Sequence, residues 1–556
     1  GQWELLTRGD SWQRRGAIAL ALVIAIGIVL RFVNLDGKVV WIDEVHSFMR
    51  VAGYGKTVLT EQLEQTIAAT DTRPAQLIPL SHLLQFQRPP AGQNLFTGLG
   101  ATVTALATDN PQHPPMYYLG ARLMAFIFGP AIATLRGTAA LFGTALIPAM
   151  GWLAWVLWRS PGVAAVTMGV TAVSPFQIAY AQEAREYSLL AVMVVLGTGF
   201  LLRAIDGARR GWWIYGAGVV VGLYTHLLMG YAIVAHGVMV LTLGGWRSPV
   251  ARKFGWAIAG AIAAFIPWVV AYLVYFRGIG WIGRDLGPTS LLRRWAIGWT
   301  LPIFDLQSLY DDQLFDVAAV QDFSDLGGGG GLGGICGALW GWSGWRLWRG
   351  SRRAAWVVTA LGLVPFLMLA LPDLLDGGQR STVGRFLMPV VLAMHLALAY
   401  ALTPAPLKKW ARGDFSKVLA LALCLVFALG IGSTVWQWRS PTGWNKYTSF
   451  YDPAVAEILV TGDRHLIITG AEKSGRLISI AHYLNIKNSR IDPTILLVTK
   501  PAVPSLSAEI IKQFQDIYLY RPYGELISGL QTQGWTLKTI SSPGQIIRLT
   551  PPPNAS

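Results

Sequence analysis

The 556-residue chain is 53% hydrophobic and only 13% charged; a soluble domain carries about a quarter charged residues, so composition excludes a soluble enzyme and points to a lipid-immersed surface. The formal net charge of +15 lies mostly in short basic clusters between apolar runs, which marks loops facing the cytoplasmic leaflet and no nucleic-acid partner. Cys336 and Cys424 both lie within apolar runs, which leaves no basis for a disulfide or a thiolate metal site.

The first apolar run, 16–33, follows Arg8, Arg14 and Arg15 without a small-residue cleavage site after it. It reads as a retained helix with a cytoplasmic amino terminus. A long outer loop, 34–135, follows. Near its start, Trp41-Ile42-Asp43-Glu44, with His46, sets two adjacent carboxylates just beyond the first span. They are either loop acids beside an interfacial Trp anchor or a pair held near lipid for chemistry. Near its end stands Gln112-His113-Pro114-Pro115-Met116-Tyr117-Tyr118. The prolines restrict the backbone before them and can begin a helix, so His113 either caps that helix or faces a site. The run 114–129 is apolar enough to span, yet counting it would invert every later loop; it is expected to lie in or dip into the outer interface.

Further spans are predicted at 136–157, 162–178, 188–204, 212–228, 230–246, 254–275, 327–345, 354–372, 383–403 and 418–436, about eleven in all. Threaded alternately, they put Arg159, the Arg203/Arg209/Arg210 group, the Arg247/Arg252/Lys253 group, the arginines 346–353 and Lys408, Lys409, Arg412 and Lys417 on one side. The acids Asp305, Asp311, Asp312, Asp316, Asp322 and Asp325 fall on the other, as the positive-inside rule requires. The run Gly327 to Gly331 lacks the Lys-Ser/Thr end of a P-loop and reads as an entry to the eighth span.

Two outer turns concentrate polar groups. Tyr180-Ala181-Gln182-Glu183-Ala184-Arg185-Glu186-Tyr187 packs Gln182, Glu183, Arg185 and Glu186 into one tight turn, suited to an internal salt bridge or to a phosphate or acceptor contact. Arg380-Ser381-Thr382-Val383-Gly384-Arg385-Phe386 places Arg385 outside, against the general bias. It needs a partner, either a lipid phosphate or Asp373 or Asp376. His226 and His236, on apolar stretches, read as packed within the bundle. From about residue 440, short β-rich runs at 465–469, 494–499, 517–520, 535–540 and 546–550 alternate with helical patterns at 475–484 and 507–515. They predict a small, largely parallel α/β domain.

Taken together, Trp-x-Asp-Glu, His-Pro-Pro-x-Tyr-Tyr, Ala-Gln-Glu-Ala-Arg-x-Tyr-Ser-Leu and Gly-Arg-Phe-x-x-Pro, in this order and on one side, resemble the GT-C glycosyltransferases. The nearer likeness is to the branch of protein O-mannosyltransferases and the lipid A aminoarabinose transferase. The resemblance covers residues 16 to 436, and Phe386 stands where such proteins often have Tyr. It implies a transferase taking sugar from a polyprenyl-phosphate carrier to a lipid, glycan or protein acceptor. Asp43 would be the general base and Glu44 its partner; His113, Tyr117, Glu183, Arg185, Tyr187, Arg380 and Arg385 would line the pocket. Asp43, Glu44 and Glu183 could hold a divalent ion whose identity the residues do not fix.

The sequence thus predicts an α-helical polytopic protein of the plasma (inner) membrane, with a transmembrane catalytic domain, 1–439, and an extracytoplasmic α/β domain, 440–556. The rival reading, a secondary transporter or flippase of lipid-linked sugars, would place charges near the midplane and show internal symmetry. Here the charges cluster at the outer end.

Overall fold

The structure, a computed structural model, describes residues 11–55, 61, 63, 77–278, 286–305, 329–403, 414–462, 464–541 and 545–553. The predicted acidic positions 311–325, the basic positions 408, 409 and 412, and Arg8 lie outside the described residues.

The chain enters through α1 (Ser11–Phe32), and the first loop carries α2 (Ile42–Ala52), α3 (Leu95–Asp109) and α4 (Met116–Phe128). The bundle continues with α5 (Ile132–Trp158), α6 (Pro161–Val173), α7 (Pro175–Ala181), α8 (Tyr187–Ile205), α9 (Gly211–Thr225), α10 (Met229–Gly244) and α11 (Pro249–Tyr275). It closes with α12 (Gly287–Gly298), α13 (Gly329–Gly350), α14 (Arg352–Leu375), α15 (Met388–Leu402) and α16 (Asp414–Arg439). All eleven predicted spans fall on helices. Among the described residues, seven segments are long and apolar enough to cross a membrane, or eight if the bent pair α6 and α7 is one span. The difference from eleven has a physical source: α9 and α10 have only 15 and 16 residues, short of the ~20 that a bilayer core requires, and glycine-rich α13 is not among the seven. The segment at 114–129 forms α4, only 13 residues long.

One joint positions the site. α6 and α7 meet at Ser174-Pro175 with a 60° bend, and a proline there leaves carbonyls of the preceding turn without helical donors. Buried Arg31, on α1, takes them, donating to the carbonyls of Thr171 at 3.0 Å and Ala172 at 2.5 Å, and also to Gly143 at 3.2 Å. Gly27 faces the Ala172 backbone so closely that no Cβ fits there. The bend aims α7 at the turn that carries Glu183, Arg185 and Glu186.

The remaining chain builds a sheet with strands β1 (Ile78–Pro79), β2 (His465–Gly470), β3 (Thr494–Val498), β4 (Asp516–Tyr520), β5 (Thr536–Ser541) and β6 (Ile546–Thr550), in the order β1-β3-β2-β4-β6-β5. Its helices are α17 (Asp452–Leu459), α18 (Ser474–Ile486), α19 (Ala508–Ile511) and α20 (Gly524–Thr532). Only β3, β2 and β4 run parallel; β1, β5 and β6 pair antiparallel, so the sheet is mixed and not largely parallel as predicted. The short connection from β5 to β6 permits only an antiparallel pair. β1 comes from the first loop, so the sheet is not confined to 440–556. α18 packs back on the first loop, with His482 edge-on to Phe48 at 5.8 Å and Nε2 of His482 3.2 Å from Oε1 of Gln87.

Candidate active site

Asp43 and Glu44 occupy the first turn of α2, where carboxylates suit the positive end of the helix. Consecutive helical residues point about 100° apart, so the pair divides between two surroundings. Glu44 is fully buried and its oxygens are saturated. Arg136 grips it with Nε and Nη2, both at 2.7 Å, Lys446 Nζ donates at 3.1 Å and the Ala184 N–H at 2.9 Å. Burial opposes its ionisation, but the Arg136 and Lys446 charges prevail and hold its pKa down at about 2. Arg136 also donates to the carbonyls of Leu35, Lys38 and Val39, which fixes the chain between α1 and α2.

Asp43 instead keeps 28% of its side chain exposed, with Oδ2 3.7 Å from Nη2 of Arg385. Partial burial pushes its pKa up, yet the Arg185 and Arg385 charges outweigh that and hold it below the ordinary carboxylate range. It is an ionised, accessible carboxylate beside cations. Arg385 lies over the rings of Tyr447 at 4.8 Å, Trp41 at 5.4 Å and Phe386 at 5.5 Å, an aromatic setting that holds a guanidinium flat. The Asp373 partner considered for Arg385 belongs to Arg380, 3.0 Å away, and no described contact joins Arg380 to the cluster around Asp43.

On the other flank, buried Glu186 gathers His113 Nδ1 at 2.7 Å, the Tyr118 hydroxyl at 3.0 Å and Arg185 Nη2 at 3.3 Å. Despite burial, the Arg185 and His113 charges keep it well below the ordinary range. Burial, and then the Arg185 charge, push the His113 pKa down. Arg185 also donates to Ser47 Oγ at 3.3 Å and to the Asp43 carbonyl at 3.4 Å, so Glu186 orients the guanidinium next to Asp43. Glu183 accepts from Asn445 at 2.9 Å and lies 3.6 Å from Lys446, while its buried Oε2 has no hydrogen-bond partner. Burial lifts its pKa to about 7 against the pull of Lys446, so it can keep a proton at neutral pH.

Asp43, Glu44, His113, Glu183, Arg185, Tyr187 and Arg385 therefore converge. Tyr187 packs against the Arg185 guanidinium at 5.7 Å. Tyr117 turns away, donating to the Leu135 carbonyl at 3.2 Å, and its neighbour Tyr118 reaches Glu186 instead. Sequence reasoning missed Arg136, Asn445 and Lys446. The available signal was Arg136 and Lys446 as basic residues on the side otherwise read as poor in them. His226, read as packed in the bundle, accepts the Leu228 N–H through Nδ1 at 2.9 Å and brings Nε2 within 3.5 Å of Glu186.

Two donor sets bear on a metal ion. In the predicted set, the lone pairs of Glu44 are taken by Arg136, Lys446 and Ala184. Among the described residues, ligand atoms of His113, Glu186 and His226 lie within 4.8 Å of one another, a spacing that could hold an ion. However, His226 Nδ1 accepts an N–H, so the neutral ring carries its proton on Nε2, and Arg185 lies against Glu186. An ion would have to displace both.

Beside Arg385 runs a narrow cavity of about 110 Å³ between α12 and α15, lined by Phe176, Trp295, Leu301, Leu387, Trp444 and Tyr447, with Arg294 on its wall. If this slot and Arg385 hold a lipid phosphate, Arg385→Ala should weaken undecaprenyl phosphate binding about tenfold or more. Arg385→Lys, which keeps charge and loses the planar fork, should weaken it less. Titration by tryptophan fluorescence in detergent checks this; equal affinity in wild type and Arg385→Ala would remove Arg385 from the donor site.

No protein-family model matches the chain, and no curated protein is similar to it in sequence. Among solved structures it resembles ArnT, the lipid A aminoarabinose transferase, from Cupriavidus metallidurans in the apo state. The two share 13% identity with a TM-score of 0.52, over 96% of this chain and 98% of that one. The same enzyme bound to undecaprenyl phosphate gives 13% identity and a TM-score of 0.50, over 95% and 97%. The Archaeoglobus fulgidus oligosaccharyltransferase complex with Zn and sulfate gives 12% and 0.46, over 95% and 72%. At such identity the ArnT likeness shows the fold alone: this chain, nearly along its whole length, is folded like ArnT.

Proposed function

We propose that this protein is a membrane glycosyltransferase that moves a sugar from a polyprenyl-phosphate carrier to an acceptor hydroxyl at the extracytoplasmic face of the plasma membrane. The observation that carries the reading is Asp43: a partly exposed carboxylate kept ionised between Arg385 and Arg185, in a chain with the fold of an enzyme that has been solved with undecaprenyl phosphate.

In this reading the carrier phosphate lies against Arg385 and its tail runs out into the membrane, with the slot large enough only for the first few carbons. Asp43 takes the proton of the acceptor hydroxyl as that oxygen attacks the anomeric carbon. The bond from the anomeric carbon to the phosphate oxygen breaks, and the carrier leaves as polyprenyl phosphate, its growing charge met by Arg385 and Arg185. Glu44, with Arg136 and Lys446, holds α2 so that Asp43 faces the cavity. Residues 440–556, joined by β1 of the first loop, form an outer α/β unit, and the amino terminus is cytoplasmic, a reading that the one-sided basic clusters support.

A single displacement inverts the anomeric centre. Purified protein given a polyprenyl-phosphate sugar of known configuration should yield product of the opposite configuration by NMR; retention would exclude this mechanism.

A further inference from the structure

Between α16 and α17 the chain runs along the candidate site and is anchored to it repeatedly. Trp444 Nε1 donates to Asp305 Oδ2 at 2.9 Å, Asn445 Nδ2 to Glu183 at 2.9 Å and Lys446 Nζ to Glu44 at 3.1 Å. Ser449 Oγ accepts the Ile42 N–H at 3.1 Å. That donor opens α2, and Trp41 before it supplies no side-chain cap. Amid these anchors Tyr447 takes a φ of 44° and a ψ of −119°. Glycine adopts this conformation readily, as at the first central position of a type II′ turn, but a residue with a Cβ is strained in it.

A strained backbone persists where its surroundings over-determine it, and such positions gather at functional sites. Here the result is the placement of one ring. Tyr447 lies 4.8 Å from the Arg385 guanidinium and 5.5 Å from the Trp41 ring. Of the rings of Trp41, Phe386 and Tyr447, which all face Arg385, that of Tyr447 lines the slot as well. The turn that carries Arg385 packs tightly on the same segment: a Cβ on Gly384 would meet Trp444 at 3.4 Å and the Tyr180 hydroxyl at 2.9 Å. Tyr447 thus stands where the cationic part of the site meets its apolar slot. A polyprenyl phosphate has the same junction, a charged group bonded directly to the first isoprene unit, and a slot of about 110 Å³ takes little more than that unit.

We propose that Tyr447 is a donor-binding residue whose ring lies against the first isoprene unit of the carrier, where that unit joins the phosphate. The ring suits both neighbours: its π-system attracts the guanidinium, and its carbons bury the apolar surface of the isoprene unit. The kink at 447 sets the ring in this place. The proposal rests on the reading of Arg385 as the partner of the carrier phosphate.

The test compares dimethylallyl phosphate, a single isoprene unit on a phosphate, with inorganic phosphate. Both are titrated against full-length protein in nanodiscs, with the fluorescence of Trp295 and Trp444, which line the slot, as the signal. Wild type should bind dimethylallyl phosphate about tenfold more tightly than inorganic phosphate. Tyr447→Gly suits the backbone and removes the ring, so this preference should shrink to about twofold or less. Tyr447→Phe, which keeps the ring and loses the hydroxyl, should retain it. If Tyr447→Gly does not fold, Tyr447→Ala carries the same comparison. No preference in wild type, a preference that survives in Tyr447→Gly, or its loss in Tyr447→Phe would overturn the proposal. If Arg385→Ala weakens undecaprenyl phosphate binding while Tyr447→Gly keeps the preference, this proposal alone fails; wild-type affinity for undecaprenyl phosphate in Arg385→Ala would instead remove the donor-site reading on which it rests.

Discussion

Asp43→Asn should lower turnover by about a hundredfold or more, the scale of lost general-base help, with little change in affinity for undecaprenyl phosphate. The substitution keeps the side-chain shape and removes its basicity. Asp43 is the member of the acidic pair left accessible, and its neighbours supply a falsifiable detail. The Arg185 and Arg385 charges hold its pKa below the ordinary range, so the acid limb of the pH profile of kcat/KM should fall below the reference aspartate value of about 3.9. Single-turnover transfer from a radiolabelled donor measures both. A wild-type rate in Asp43→Asn would show that another group takes the proton.

Glu44→Gln should cost the fold about 3–5 kcal/mol, because it leaves Arg136 and Lys446 buried without their counter-ion. The measurable result is a large drop in the melting temperature of the purified protein, with activity lost along with it. The pH dependence has a definite sign. The carboxyl has a folded pKa near 2, below its unfolded value of about 4.3. Its stabilisation is fully present above that unfolded value and disappears as pH falls through the folded one. Acid unfolding in this window should therefore be blunted in whatever Glu44→Gln protein folds. A variant as stable as wild type would mean that the grip on Glu44 contributes nothing to holding α2.

The contrast between Asp43 and Glu44 also shows what sequence could reveal. Trp41-Ile42-Asp43-Glu44, His113, the 180–187 turn and Arg385 were legible because each sets polar groups at the outer edge of an apolar run, where they are conspicuous. Which acid is accessible was not, since it depends on the face of α2 that meets Arg136, whose guanidinium reaches back across 92 residues to Glu44. Lys446 and Asn445 lie some 400 and 260 residues from the carboxylates they hold, and no local pattern links them. The bundle helices were legible through hydropathy and basic clusters. The two-residue strand β1 was not, because a strand that short has no periodicity to read. The antiparallel half of the sheet depends on pairing partners that strand composition does not specify.

The most direct measurement is the fate of the carrier. Purified protein in liposomes is given a polyprenyl phosphate carrying a radiolabelled sugar together with a membrane extract as the source of acceptor, and free polyprenyl phosphate and labelled product are both counted. A transferase releases one carrier phosphate for each sugar moved, and Asp43→Asn protein releases almost none. Label that stays on its carrier while crossing to the other leaflet, at the same rate in wild type and Asp43→Asn, would instead make the protein a flippase and contradict the account.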